Sequence, residues 1–180
     1  MVLHEKGLDF ETYEVDLENK SEEFLRDSPT GKVPVVVVDG DSIYESNVVN
    51  QYLDEVTGAP RLLSEDPKAR AYARIWMASA DDGFFPAVFV ASVGRDRGFS
   101  EERISEALGK LKTALSKLEE RLDGRDYLVR EFSLADIAYA GNLVRLRELE
   151  GRDEISLEDY PNLRAWMERL EGRESYMAAV

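Results

Sequence analysis

Apolar residues along this chain change their spacing near its first third. Up to about residue 58 they fall in short runs; beyond about residue 67 they recur every three or four positions, the spacing of one helix face. Met1 to Gly7 reads as the last turns of a helix closed by glycine. Phe10 to Val15 alternates weakly and predicts a short strand, followed by a polar turn over Asp16 to Asn19. Ser21 predicts a helix cap, with Glu22 to Asp27 as the helix and its first acids placed where the macrodipole favours them. Ser28-Pro29-Thr30-Gly31 reads as loop. Val35 to Val38, four valines in succession, suits a strand buried on both faces. Asp39-Gly40-Asp41 is hairpin chemistry, because glycine accepts the positive φ of two-residue turns. A second short strand leads to Glu45-Ser46-Asn47, polar groups set where a starting helix leaves backbone N–H groups unpaired. Such a helix start also suits an anion. Val48, Val49, Tyr52, Leu53 and Val56 carry that helix, and Thr57-Gly58-Ala59-Pro60 stops it.

Arg61 to Asp66 is a polar connection with Leu62 and Leu63 embedded in it. Everything after it predicts helix. Asp66 caps a helix opened by Pro67, at the position where a missing N–H is harmless, and Pro86 is placed to kink or interrupt it near Asp82. Ser100 starts a longer helix with a stripe of Ile104, Leu108, Leu111, Leu115, Leu118 and Leu122, closed by Asp123-Gly124. Ser133 and Asp136 form a capping box, with Phe132 and Ile137 as its hydrophobic staple, and read as structural. Pro161 opens a last helix whose buried face is Leu163, Trp166, Met167 and Leu170. These patterns divide the chain into an α/β domain over 1–58, a linker over 59–66 and an all-helical domain over 67–180.

Composition narrows the chemistry. The 180 residues carry 37 acidic and 23 basic side chains, a formal charge of −14. That balance argues against a nucleic-acid or anionic-membrane partner, which needs clustered Lys and Arg. There is no cysteine and therefore no disulfide, thiolate nucleophile or thiolate metal site. The single histidine, His4, does not make a multi-histidine metal site and reads as exposed. No signal peptide and no membrane-spanning apolar run stands in the sequence, and a cytoplasmic protein is expected.

Gly31-Lys32-Val33-Pro34, the valine strand, Asp39-Gly40 and Tyr44-Glu45-Ser46 before a helix together resemble the glutathione-binding half of glutathione S-transferases. The capped helix at Ser133 resembles the same family, and the resemblance covers nearly the whole chain. It implies a thioredoxin-like first domain, with a cis Val33-Pro34 bond, followed by a helical second domain. It implies that the backbone of Val33 meets the cysteinyl group of glutathione. Glu45 and Ser46 would hold the γ-glutamyl end, and Lys32 would lie near the glycyl carboxylate. The electrophile site would draw on Trp76, Ala80, Phe84 and Phe85, residues that read equally well as core or dimer contacts. A homodimer is implied, with Tyr44, the helix after Ser46, Arg70 and Arg74 as its contacts.

Against the family pattern the chain begins inside the first helix, without the first strand and the loop that carries the catalytic Ser, Cys or Tyr. The expectation is that this residue lies upstream of Met1, and that Met1 is an internal methionine or the sequence a fragment; the alternative is a natural short form that pairs with a partner or rearranges its sheet. No serine or tyrosine of the first half replaces it. The resemblance thus implies conjugation of the glutathione thiol to a hydrophobic electrophile when the chain is complete. The competing reading is a non-catalytic binding protein on the same scaffold, similar to stringent starvation protein A, whose acidic surface would suit a basic protein partner.

Overall fold

A computed structural model describes residues 1–180, which form two compact units, Met1–Arg61 and Leu62–Val180. The division falls inside the segment that reads as a linker. Leu62 and Leu63 are buried, and the Leu62 carbonyl accepts from the Leu134 N–H at 3.0 Å, which ties that segment to the second unit.

The first unit holds α1 (Val2–Glu5), α2 (Glu22–Asp27), β1 (Val35–Val38), β2 (Asp41–Tyr44) and α3 (Ser46–Val56). α1 ends as its glycine suggests, with Gly7 at φ 60°. Ser21 caps α2, its Oγ accepting from the Phe24 N–H at 3.1 Å. β1 and β2 pair antiparallel, from Val35 opposite Tyr44 to Val38 opposite Asp41, around the turn at Asp39 and Gly40. Two expectations fail here. Phe10 to Val15 forms no strand: the sheet has only two members, and without a partner an extended run gains no ladder bonds. The valine strand is not buried on both faces: Val35, Val36 and Val38 are only half-buried and Val37 remains 56% exposed.

A buried ion pair closes this unit. The Lys6 ammonium lies 2.6 Å from Asp54 Oδ1, with both side chains almost fully removed from solvent. Its other hydrogens go to the carbonyls of Gly58, at 3.1 Å, and Pro60, at 2.6 Å. A lysine nitrogen has three hydrogens to give, and here each has an acceptor.

The second unit is helical. α4 (Pro67–Ser79) is capped by Asp66, whose carboxylate accepts from the N–H groups of Lys68 and Ala69 at 3.4 and 2.9 Å. It runs through a π-helical turn, Ala80–Phe84, into α5 (Phe85–Val93), so the interruption expected near Asp82 is a wider turn within one continuous rod. Phe85 N–H reaches back to the Ala80 carbonyl, which carries the chain past the N–H that Pro86 lacks. α6 (Glu101–Leu122) starts on Ser100 and buries Ile104, Ala107, Leu111, Leu115, Leu118 and Leu122. Ala107 takes the place expected for Leu108, which sits at the stripe's edge. A Cβ on Gly94 would lie 2.8 Å from Ile104 Cγ1, so a hydrogen at that position is what lets the end of α5 reach α6.

α7 (Leu134–Ala140), α8 (Leu143–Gly151), a 3₁₀ turn at Leu157–Asp159, α9 (Pro161–Glu171) and α10 (Glu174–Met177) complete the unit. The capping box at Ser133 and Asp136 forms as expected. Asp136 is fully buried; its Oδ1 accepts from Leu128 N–H and Trp166 Nε1, both at 2.9 Å. Its Oδ2 accepts from Ser133 N–H at 3.0 Å and Ser133 Oγ at 3.2 Å. One carboxylate thus fixes the loop before α7, the start of α7 and the indole of α9.

Asp136→Asn places an amide NH₂ against two of these donors. With about 1–3 kcal/mol for each buried donor left without an acceptor, the expected loss is about 2–6 kcal/mol. Ser133→Ala, which removes a cap while leaving the carboxylate, should lower stability by about 1 kcal/mol. Urea denaturation of the three proteins checks the order.

Candidate functional site

The loop before β1 is held from beneath by Ser28. Its side chain is fully buried; Oγ donates to the Lys32 carbonyl at 2.8 Å and accepts from the Lys32 N–H at 3.0 Å. Gly31, at φ 63°, turns the chain and donates its N–H to the Ser28 carbonyl at 2.8 Å. Lys32 is therefore fixed at its backbone while its ammonium stays in solvent. The Val33-Pro34 peptide that follows is cis. Ser42 Oγ donates to Asp27 Oδ1 at 2.6 Å and anchors β2 to α2. Sequence reasoning read Ser28 only as loop; a small polar residue ahead of Pro-Thr-Gly was the one available signal of its clamping role.

Register brings the two halves of the motif together. Val35 opposite Tyr44 is the last pair of the ladder, so Pro34 and Glu45 are the next residues out at the same end. Glu45 then joins β2 to α3 with φ 68° and ψ 113°, a backbone region that non-glycine residues rarely enter and that costs about 1–3 kcal/mol. Its carbonyl accepts from the N–H groups of Val48 and Val49, both at 2.9 Å. Its side chain, however, makes no capping bond. That corrects the reading of this segment as a side-chain cap. The working caps, Ser21 and Asp66, have extended backbone near φ −68° and −66°; Glu45 does not.

Lys32, Val33, Pro34, Glu45 and Ser46 are all exposed. The Lys32 ammonium, Glu45 carboxylate and Ser46 hydroxyl make no hydrogen bond or ion pair within the chain, and the Val33 backbone has no backbone partner. The end of the ladder thus offers an unpaired peptide group at Val33 on one strand's extension and a carboxylate and a hydroxyl at Glu45 and Ser46 on the other, with the Lys32 cation one residue before Val33. Those groups suit a zwitterionic, peptide-like ligand.

The four residues expected at an electrophile site lie in the second unit. Trp76 and Phe84 line a groove of about 520 Å³ between the π turn and α6, together with Pro86, Val90 and Tyr139. Ala80 is buried and does not line it, while Phe85 is 46% exposed and stacks near Phe89. Phe84 and Trp76 both pack on Tyr139, with ring centroids 4.8 and 6.4 Å apart. Burial pushes the Tyr139 phenol up to about 12, against the pull of its hydrogen bond with Ser79. No group of three or more His, Cys, Asp or Glu side chains is placed to hold a metal ion. No helix is long and apolar enough to cross a membrane.

This is a two-unit α+β architecture in which a thioredoxin-like domain precedes a helical one. The family described as "Glutathione S-transferase, N-terminal domain" matches residues 1–56, and "Glutathione S-transferase, C-terminal domain" matches residues 101–169. Glutathione transferase GST 23 of Zea mays is 31% identical over 181 residues, covering 97% of this chain and 79% of the relative. Protein LigF of Sphingobium sp. is 31% identical, covering 95% and 83%. A solved glutathione S-transferase of Methylobacillus flagellatus with glutathione bound is 33% identical with TM-score 0.86, covering 99% of this chain and 90% of that one. The chain belongs to the glutathione S-transferase family.

Glu45→Gly tests whether the backbone at the junction is strained. Glycine enters positive φ freely but loses about 0.5–1 kcal/mol in chain entropy. With about 1–3 kcal/mol of strain relieved, stability should be unchanged or raised by up to about 2.5 kcal/mol. A urea midpoint clearly below wild type would contradict the strain.

Proposed function

We propose that the chain binds glutathione at the cis-proline end of the hairpin and serves conjugation of its thiol to hydrophobic electrophiles. The Val33 backbone pairs with the cysteinyl peptide group, Glu45 and Ser46 hold the γ-glutamyl end, and Lys32 faces the glycyl carboxylate. The observation that carries this reading is that these polar groups are gathered beyond one ladder pair and have no partners in the chain. Membership of the family and a relative solved with glutathione bound support it. An anionic γ-glutamyl carboxylate would also sit at the N-terminus of α3, where backbone N–H groups favour negative charge.

The reading gives these residues the tripeptide and gives none of them the deprotonation of its thiol. Trp76 and Phe84, on the groove of the helical unit, are the residues we assign to an apolar co-substrate. We assign Tyr44, α3, Arg70 and Arg74 to a homodimer contact, with a dimeric elution in gel filtration as the expected result.

Glutathione titrated calorimetrically into the protein should bind at one site per chain. Ser46→Ala removes a hydrogen bond to a charged group, about 1.5–3 kcal/mol, and should weaken binding by about tenfold or more. Because Ser46 has no partner in the chain, its urea midpoint should match wild type. Equal affinity in the two proteins would overturn the assignment.

A further inference from the structure

The second unit has another concavity, about 740 Å³, where the start of α4 meets the end of α6 and the loop after it. Ligand sites commonly fall between about 300 and 1,000 Å³. Four cations line it: Lys68 on α4, Arg121 on the last turn of α6, and Arg125 and Arg130 on the loop. The acids on the same wall are Asp66, Asp126 and Glu131. Asp66 is engaged with the N–H groups of Lys68 and Ala69, Asp126 pairs with Arg169 at 3.7 Å, and Glu131 is the one acid of the wall whose side chain has no partner.

The cations are not so engaged. The side chains of Lys68, Arg125 and Arg130 make no hydrogen bond or ion pair within the chain. Arg121 gives its Nε hydrogen to the Leu128 carbonyl at 2.7 Å and has no carboxylate partner. Burial and the neighbouring Arg125 charge both disfavour its charged form. In a chain with 37 acids and 23 bases, a basic side chain ordinarily finds an acid nearby. Here four cations crowd one hollow and at least two repel each other. An anion placed among them would turn that repulsion into charge-assisted hydrogen bonds. The phenol rings of Tyr72 and Tyr127 form the remaining wall and add donors for oxygen ligands.

We infer that this hollow is a binding site for a small polyanion, a phosphate ester or a di- or tricarboxylate, separate from the hairpin. The overall charge of −14 repels anions in general, so saturable anion binding has to arise from a local site of this kind.

Isothermal titration at low ionic strength, with inorganic pyrophosphate and with citrate as probes, tests the proposal. At least one probe should bind saturably, with a dissociation constant below about 1 mM that rises with added salt. Binding by pyrophosphate alone identifies phosphate as the recognised group, by citrate alone carboxylate, and by both a general oxyanion site. Arg125→Ala/Arg130→Ala should weaken it about tenfold or more, since guanidinium–oxyanion bonds are among the stronger ones. Neither side chain has a partner in the chain, so the urea midpoint of that variant should stay at the wild-type value. Lys112→Ala/Lys117→Ala makes the same charge change on α6 outside the hollow and should leave probe binding intact. Ser46→Ala should also leave it intact, which separates this site from the glutathione reading. Saturable binding of neither probe, or equal loss in the two double variants, overturns the inference.

Discussion

A carboxylate removed from water must have its acceptor positions filled from within the protein, and in this chain that requirement falls on Asp136. Its two oxygens take four hydrogens from three parts of the helical unit: the loop at Leu128, the turn at Ser133 and the indole of Trp166. Apolar packing alone would let α7 and α9 slide along each other, because leucine contacts are non-directional. The carboxylate admits one arrangement. The rings of Trp166, Tyr139 and Phe84 then stack in sequence from α9 through α7 to the π turn. The wall of the groove beside α6 is therefore set by a residue that does not touch it.

The first unit obeys the same rule with opposite charge at its centre. Lys6 is tolerated inside because Asp54 and two carbonyls take up its hydrogens. At the hairpin end the rule is reversed: Lys32, Glu45 and Ser46 are polar, exposed and unpartnered. Buried polar groups such as Lys6 and Asp136 fix the fold, whereas these exposed side chains are left without a partner in the chain. Glu45 joins the two roles, since its carbonyl serves α3 while its side chain is left outside by a backbone that few residues adopt.

What could be read from the sequence was what lies within a turn or two of the chain. Ser21, Asp66, Ser100 and Ser133 cap their own helices through N–H groups two or three residues on, so composition and spacing sufficed. The stripe of α6 was legible for the same reason, except that Ala107 is buried in place of Leu108. Interactions between distant segments were not. The start of α9 has no local cap; Glu119 on α6, 43 residues before Asn162, accepts from the N–H groups of Asn162 and Leu163. Nothing near Pro161 announces it. The Lys6–Asp54 pair was hidden likewise, and a strand at Phe10 was a pattern whose partner the pattern could not supply. The hairpin motif was visible because its pieces are nearly contiguous, whereas the hollow ringed by Lys68, Arg121, Arg125 and Arg130 draws on segments that only folding assembles.

The Lys6 ammonium also joins two stretches of the first unit that are far apart in sequence. By bonding the carbonyls of Gly58 and Pro60 it brings the sixth residue beside the last turn of the same unit. The buried lysine is in that sense a clasp: through Asp54 it holds the last turn of α3 to the chain that leaves it, at the opposite end of α3 from Glu45 and Ser46.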